Sequence, residues 1–478
     1  MTGILGRFSL AGLLLAAPAA LSQGAPLPPI GTATPAAFAA PPARKGEEAL
    51  PPPMAEPPVA YDLAGLTETT LRANPRLAQA AYAIDVAAGR ALQAGLKPNP
   101  VLSFTADELG DRAGPGGILT AAVSQEIVTA GKLQLAREAA LREADQATLS
   151  LLSTRYSRLG AVRSAYYEAL ALQRRAQVLD EVLRLAVESL RLSERLLKAG
   201  QASELDLVQL QVEYERLRAE REAVLREIPA AFRRLAAAVG VTGLPEGRLG
   251  GSIDVATPAY DLEAARVFVG QSHPDVLSAR KGVDRAQALL ARAIVEPVPN
   301  VTVQAGYVRQ NQNRSTDWMV GLSLPVPVWN RNQGGILAAK AQVGESIQAV
   351  GRAENEVVER LATAYGTYAS ARRRAELYRS SLLPRARKSY ELAAKGYRAG
   401  NFDYLRVLEA QRAYSQAELE AVRSSGEAWR SAAELSGLLL EDFWPEKPPM
   451  PPGPLPAPCG PTIEIIPAPR PAPGALPR

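Results

Sequence analysis

Lys198-Ala199-Gly200-Gln201, running on into Leu205-Asp206-Leu207-Val208, has a near copy in Arg398-Ala399-Gly400-Asn401, running on into Leu405-Arg406-Val407-Leu408. Each copy reads as a helix that ends at a glycine, with a second helix leaving at once, because only glycine takes the left-handed helix-ending conformation cheaply. Sliding the 478-residue chain on itself by about 200 residues also superposes Gln211 on Gln411 and Tyr214 on Tyr414. The chain reads as one unit written twice.

The punctuation around these tips repeats as well. Asn74-Pro75 and His273-Pro274 each halt a short helix, since the residue before proline disfavours the helical region, and each proline then opens the next helix, where its missing amide costs nothing. Pro98 with Pro100, and Pro297 with Pro299, close those second helices. After each proline pair the apolar period drops to two. Val301, Val303, Ala305 and Tyr307 alternate with Thr302, Gln304 and Gly306, and Trp318, Val320, Leu322 and Leu324 alternate with Met319, Gly321 and Ser323. Strands of about 9 to 12 residues suit tilted crossings of an outer membrane, a length soluble sheets also use. The period then returns to 3.6. No proline interrupts 131–199, which at about 1.5 Å per residue gives a helix close to 100 Å long. Such a helix has to pack lengthwise against others. Pro229 is expected to break or kink the first return helix, and Pro384 to kink the second outgoing helix, where the first half has Arg184.

The expected organisation is a signal peptide over 1–22 (one positive charge, an apolar run, then small residues), a Pro/Ala-rich linker over 23–60 and a first repeat over 61–250 with strands at about 101–109 and 118–128 and a tip near 200. A second repeat follows over 251–444, with strands at about 300–310 and 317–328 and a tip near 400, and a Pro-rich tail over 445–478. No stretch supplies about 20 consecutive apolar residues beyond the N-terminus, so a membrane would be crossed by strands. Four strands cannot close on themselves, and an open sheet edge cannot sit in hydrocarbon with its backbone groups unpaired, so several copies are required.

Val123-Ser124-Gln125-Glu126-Ile127 followed by Gly131-Lys132, the doubled Asn-Pro or His-Pro helix start, and Tyr397-Arg398-Ala399-Gly400 with Leu405 to Gln411 together resemble the TolC-like outer membrane efflux family over about 61–440. Leu324-Pro325-Val326-Pro327-Val328 with Asn330-Arg331-Asn332-Gln333-Gly334 is similar to the CzcC-like heavy-metal efflux branch. The resemblance implies a mainly α fold with a small membrane β-barrel portion: long antiparallel helical hairpins, four strands per chain, and a homotrimer whose twelve-stranded barrel continues into an α-helical barrel across the periplasm. It implies partners too, a periplasmic membrane-fusion adaptor and an inner-membrane pump, the proton-driven RND type being favoured.

The resemblance also assigns residues. Tyr397 falls on a gate tyrosine and Glu409 on a gate acid at the periplasmic entrance, while Arg406 departs from a second acid of the pattern. Arg406 and Glu409 are expected to pair at i,i+3, muting the attraction an acidic ring would give a cation. Lys198, Gly200, Gln201, Ser203, Arg398, Gly400, Asn401 and Asp403 would meet the adaptor, and Tyr307, Trp318 and Trp329 would form the interfacial belt of the barrel. His273 takes the place of Asn74 in the other half and is expected to serve the helix boundary rather than catalysis or a metal.

An inventory of one histidine, one cysteine and four methionines, with no phosphate-binding loop, offers no catalytic constellation and no expected cofactor. The formal charge of +5 is spread along helices without a basic-aromatic block, which argues against nucleic acid. The expected function is therefore a passive outer-membrane exit duct for small molecules or metal cations. A type I protein secretion duct and a soluble periplasmic coiled-coil scaffold are the alternatives.

Overall fold

Asp62 opens the first helix by accepting from the Gly65 amide at 3.3 Å. The computed structural model describes residues 60–108, 117–200, 203–399 and 401–445, so the expected signal peptide, linker and tail, together with Gln201 and Gly400, lie outside the described residues. A two-residue strand β1 (Ala60–Tyr61) precedes α1 (Leu63–Ala73), α2 (Pro75–Ala94), the strands β2 (Val101–Asp107) and β3 (Ile118–Ile127), the 67-residue helix α3 (Lys132–Lys198) and α4 (Glu204–Val239). A second short strand β4 (Arg248–Leu249) pairs parallel with β1. The same succession then runs again as α5 (Leu262–Ser272), α6 (Pro274–Val295), β5 (Val301–Gln310), β6 (Ser315–Ser323), α7 (Gln333–Leu377), a π-helical turn (Tyr378–Leu382), α8 (Leu383–Arg398) and α9 (Tyr404–Leu438).

The residues at the helix starts explain why the two halves begin alike. Asn74 accepts from the Arg76 amide at 3.0 Å, and its carboxamide donates to the carbonyls of Ala238 and Val239 at 3.1 and 3.0 Å, tying the start of α2 to the end of α4. Gly240 is needed there twice over. Its φ is +94°, and a Cβ would lie 2.8 Å from the Asn74 Cα. In the second half the imidazole of His273 does the capping, its Nδ1 accepting from the Asp275 amide at 3.2 Å. The expected boundary role for His273 is what the geometry gives.

Helix α3 is the spine. It packs against α2 and α6 along its first part and against α4 and α9 along the rest, while α6 also touches α7, and α9 touches α7 and α8. The upper wall therefore has the order α2-α3-α6-α7. At mid-height Arg163, 2% exposed, donates to Ser436 Oγ and the Asp442 carbonyl, both at 3.0 Å. Nearby the Tyr167 ring stacks on Trp429 at 4.6 Å, with Trp444 edge-on to both. Gly160 and Gly437 bring α3 and α9 together, for a Cβ on Gly437 would stand 2.9 Å from the Gly160 Cα.

Three local expectations need correction. The last strand ends at Ser323 rather than near 328, because Pro325 and Pro327 have no amide to give a ladder. Helix α4 runs through Pro229 without interruption. Near Pro384 the chain inserts the π-helical turn just before the proline, which falls in the first turn of α8 where a missing amide is tolerated. On α4 itself Leu217 is buried, whereas Leu205, Val208 and Val212 are exposed.

The strands form one antiparallel sheet in the order β2-β3-β5-β6, so the two halves of the chain meet at the β3–β5 ladder from Ile118↔Gln310 to Ile127↔Val301. The register places Leu102, Val123, Ala305 and Val320 in one row across the sheet, and Phe104, Ala121, Tyr307 and Trp318 in the next. Ser103, Ala122, Gly306 and Met319 fall on the opposite face. Directly opposite residues share a face, so one face is apolar and aromatic and the other small and polar. The apolar face is the exposed one, with Phe104 at 74% and Val320 at 82%. Within the chain the sheet stays open, β2 and β6 being its edges.

Candidate functional site: the hairpin tips and the sheet

Both helical hairpins turn at the same end of α3. Tyr404, at the start of α9, donates to the Ser189 carbonyl of α3 at 3.2 Å, and Ser189 donates to the buried Gln411 at 2.7 Å.

At the first tip Gly200 takes φ +72° and its amide donates to the Leu197 carbonyl at 3.0 Å. Ser203 and Asp206 then form a reciprocal capping box, amide to side-chain oxygen at 3.3 and 3.2 Å. Ser203 is thus held by its own helix start. Lys198, Gly200 and Ser203 are exposed. The second tip is built differently. The Asn401 amide reaches back to the Gly396 carbonyl at 2.9 Å, and Asp403 occupies the N-cap of α9 without a side-chain cap bond. Arg398, Asn401 and Asp403 are exposed.

Tyr397 is half-buried and meets Tyr404 edge-on at 5.5 Å, so the expected gate tyrosine belongs to an aromatic clasp between α8 and α9. Burial raises the Tyr404 phenol above its ordinary value despite its bond to Ser189. Arg406 and Glu409 are both exposed, but the expected i,i+3 ion pair between them does not form. The Arg406 guanidinium lies instead over the Phe402 ring, 5.2 Å from its centre, where the ring quadrupole competes with the carboxylate for it. Phe402 and Gly396 were not singled out by the sequence. Phe402 folds back onto α8 so closely that a Cβ on Gly396 would clash with the edge of the Phe402 ring, and a glycine inside a helix facing an aromatic loop residue was the available signal.

At the other end Tyr307 and Trp318 are paired in register, meeting edge-on at 5.8 Å with the Tyr307 hydroxyl 3.2 Å from Thr316 Oγ1. Trp329 stands 88% exposed beyond the end of β6, in the proline-rich segment leading to α7. Below the sheet the Lys132 ammonium is buried, donating to the Val298 carbonyl at 2.7 Å and to Asn300 Oδ1 at 3.1 Å. Between the two ends, burial lowers the His273 imidazole below its ordinary value, and the Arg360 guanidinium reinforces that against the pull of Asp275. For Asp275 burial acts to raise the carboxyl, but hydrogen bonds from Arg360 and Ser153 outweigh it and leave it lowered. Among the described residues no helix is long and apolar enough to cross a membrane.

Comparison with known proteins agrees with this layout. The outer membrane efflux protein family model matches residues 66–241 and again 269–439. The cobalt-zinc-cadmium resistance protein CzcC of Cupriavidus metallidurans is 25% identical over 368 residues, which cover 77% of this chain and 87% of that one. Among solved structures, CusC superposes with a TM-score of 0.68 at 18% identity over 79% of this chain and 91% of its own. The outer membrane protein VceC of Vibrio cholerae gives 0.65 at 20% identity over 79% and 95%. With two matched segments spanning most of its length, this chain belongs to the outer membrane efflux protein family.

Proposed function

We propose that this chain is the outer-membrane duct of a tripartite efflux system and works as a homotrimer, a passive channel through which an inner-membrane pump of the proton-driven type exports small molecules or metal cations by way of a periplasmic adaptor. The observation that carries this reading is the open sheet. Its exposed face is apolar and aromatic, its edges β2 and β6 are unpaired, and its strands reach 10 residues. In hydrocarbon those edges must pair, and three four-stranded sheets joined β6 to β2 close a twelve-stranded barrel that satisfies them. The helical wall supports the same rotation. Its edge helices adjoin the edge strands in the chain, α2 leading into β2 and α7 following β6, and each carries exposed apolar residues, Tyr82 and Val86 on α2, Leu337 and Ile347 on α7. Tyr307, Trp318 and Trp329 serve the headgroup belts of that barrel. The hairpin tips lie at the far end of a spine about 100 Å long, facing the periplasm.

In this reading Tyr397, Arg406 and Glu409 line the periplasmic gate. Lys198, Gly200, Gln201, Ser203, Arg398, Gly400, Asn401 and Asp403 face the adaptor. Reconstitution of the mature chain in planar bilayers tests the proposal: discrete conductance steps from a trimer are expected, and a monomer that leaves membranes on a carbonate wash and conducts nothing refutes it. Replacing Tyr397 and Glu409 together is expected to raise the resting conductance, and an unchanged conductance removes both from the gate.

A further inference from the structure

The two hairpins differ in charge at the same height. On the second, Arg385, Lys388, Lys395, Arg398 and Arg406 have no carboxylate within 4.0 Å among the described residues, whereas Arg387 is held by Glu391 at 3.3 Å. Asp403 and Glu409 near the tip, and Glu418 higher on α9 beside Tyr414, oppose them as carboxylates with no cation within 4.0 Å among the described residues. Arg385, Lys388 and Lys395 are spaced three and seven residues apart, which puts them on one exposed stripe of α8. That stripe lies opposite Tyr390, Ala393 and Tyr397, the residues by which α8 packs onto the rest of the chain. On the first hairpin the unpaired charges balance, with Glu188, Glu194, Glu204 and Asp206 against Arg184, Arg191, Arg195 and Lys198. Taken together the two tips keep a positive excess, and the second contributes all of it. The one gate acid, Glu409, is not neutralising Arg406, which is occupied by Phe402.

We propose that the helical mouth is anion-selective, so that the cargo class of this duct is small anions, with a metal ion passing only as an anionic complex. The inference rests on the trimeric duct reading above, which repeats this excess three times around a narrow opening. Charges on a constriction with low-dielectric walls concentrate the opposite ion and exclude the like one. Screening confines the effect to within about 8 Å of the wall, so the residues of the mouth rather than the distant barrel decide it.

The test is the reversal potential of the full chain in planar bilayers of neutral phospholipid under a roughly tenfold KCl gradient, where chloride is expected to permeate about three times more readily than potassium, or better. Loss of discrete trimer conductance would sink the duct reading and this inference with it. A conducting trimer that prefers potassium overturns the inference alone. The variant Arg385→Gln/Lys388→Gln/Lys395→Gln, whose side chains point away from every packed face, is expected to keep the trimer conductance while its reversal potential moves to zero or beyond. An unmoved reversal potential also overturns the proposal.

Discussion

The two hairpins share a layout and differ in what holds them. At the level of the tips the first outgoing helix, α3, is continuous and buries Leu179, Val182, Leu183, Val187 and Leu190. The second outgoing helix is interrupted by the π-helical turn, and α8 beyond it buries only Ala393. Its joint depends on aromatic rings, Phe402 on Gly396 and Tyr397 on Tyr404, rather than on a closed capping box. A helix with little apolar burial has little to lose on opening, so the second hairpin is the element suited to move while the first stays put.

The largest effect should come from the first hairpin's core. Leu183→Ala, at a side chain 1% exposed, is expected to cost about 2–5 kcal/mol in denaturant unfolding, whereas truncating exposed Leu392 on α8 should cost well under half of that. Equal costs would erase the difference in packing. Next is the joint of the second tip: Gly396→Ala places a Cβ against the edge of the Phe402 ring, and displacing that ring should cost about 1–3 kcal/mol and speed hydrogen exchange of the α8 amides. Unchanged exchange would show that the clasp does not hold the tip. Ser203→Ala breaks the capping box of α4 and should cost about 1 kcal/mol, while Asp403→Ala, at a cap with no side-chain bond, should cost less. If Asp403→Ala proves the more costly, the contrast between the two caps is wrong.

The smallest expected effect contrasts the two halves at their helix starts. His273 has its folded pKa below the ordinary 6.5, so the unfolded chain takes up the proton first. Stability is then full above about pH 6.5 and falls as the pH drops below it, because the imidazolium cannot accept from the Asp275 amide. His273→Asn copies Asn74 and is expected to flatten that part of the pH profile of thermal unfolding. An unaltered profile would remove His273 as its source. Asp275 is shifted downward as well, so its contribution is full above the ordinary carboxylate value of 3.8 and is lost as the pH falls from there through its lowered folded value.

Much of this molecule was legible as a string. Helix α3 fills the proline-free 131–199 to within a residue, and α1 ends just before Asn74-Pro75, because Pro75, Gly131 and Gly200 punctuate the chain by backbone sterics that need no partner. The strands were readable from period two, except where Pro325 and Pro327 end the ladder while apolar alternation continues through Val326 and Val328. Partner choice was not readable. Arg406 and Glu409 have the spacing of a helix ion pair, and local rules pair them, but Phe402 arrives from the loop to take the guanidinium. The α4 line of Leu205, Val208 and Val212 has helical spacing too, yet the face that packs on α3 holds Leu210, Tyr214 and Leu217.

The sequence by itself determined the succession of elements, the doubled punctuation and the two-faced strands, since each follows from dihedral preferences and periodicity within a few residues. Only the tertiary structure decided which strands are neighbours, that β3 and β5 join the halves, and that the second tip is clasped by rings while the first is capped by hydrogen bonds. Those outcomes turn on groups about 180 or more residues apart in the chain competing for the same contact, as at β3–β5, or on a single side chain such as Phe402 choosing the helix it packs on, and a local pattern holds no information on who wins.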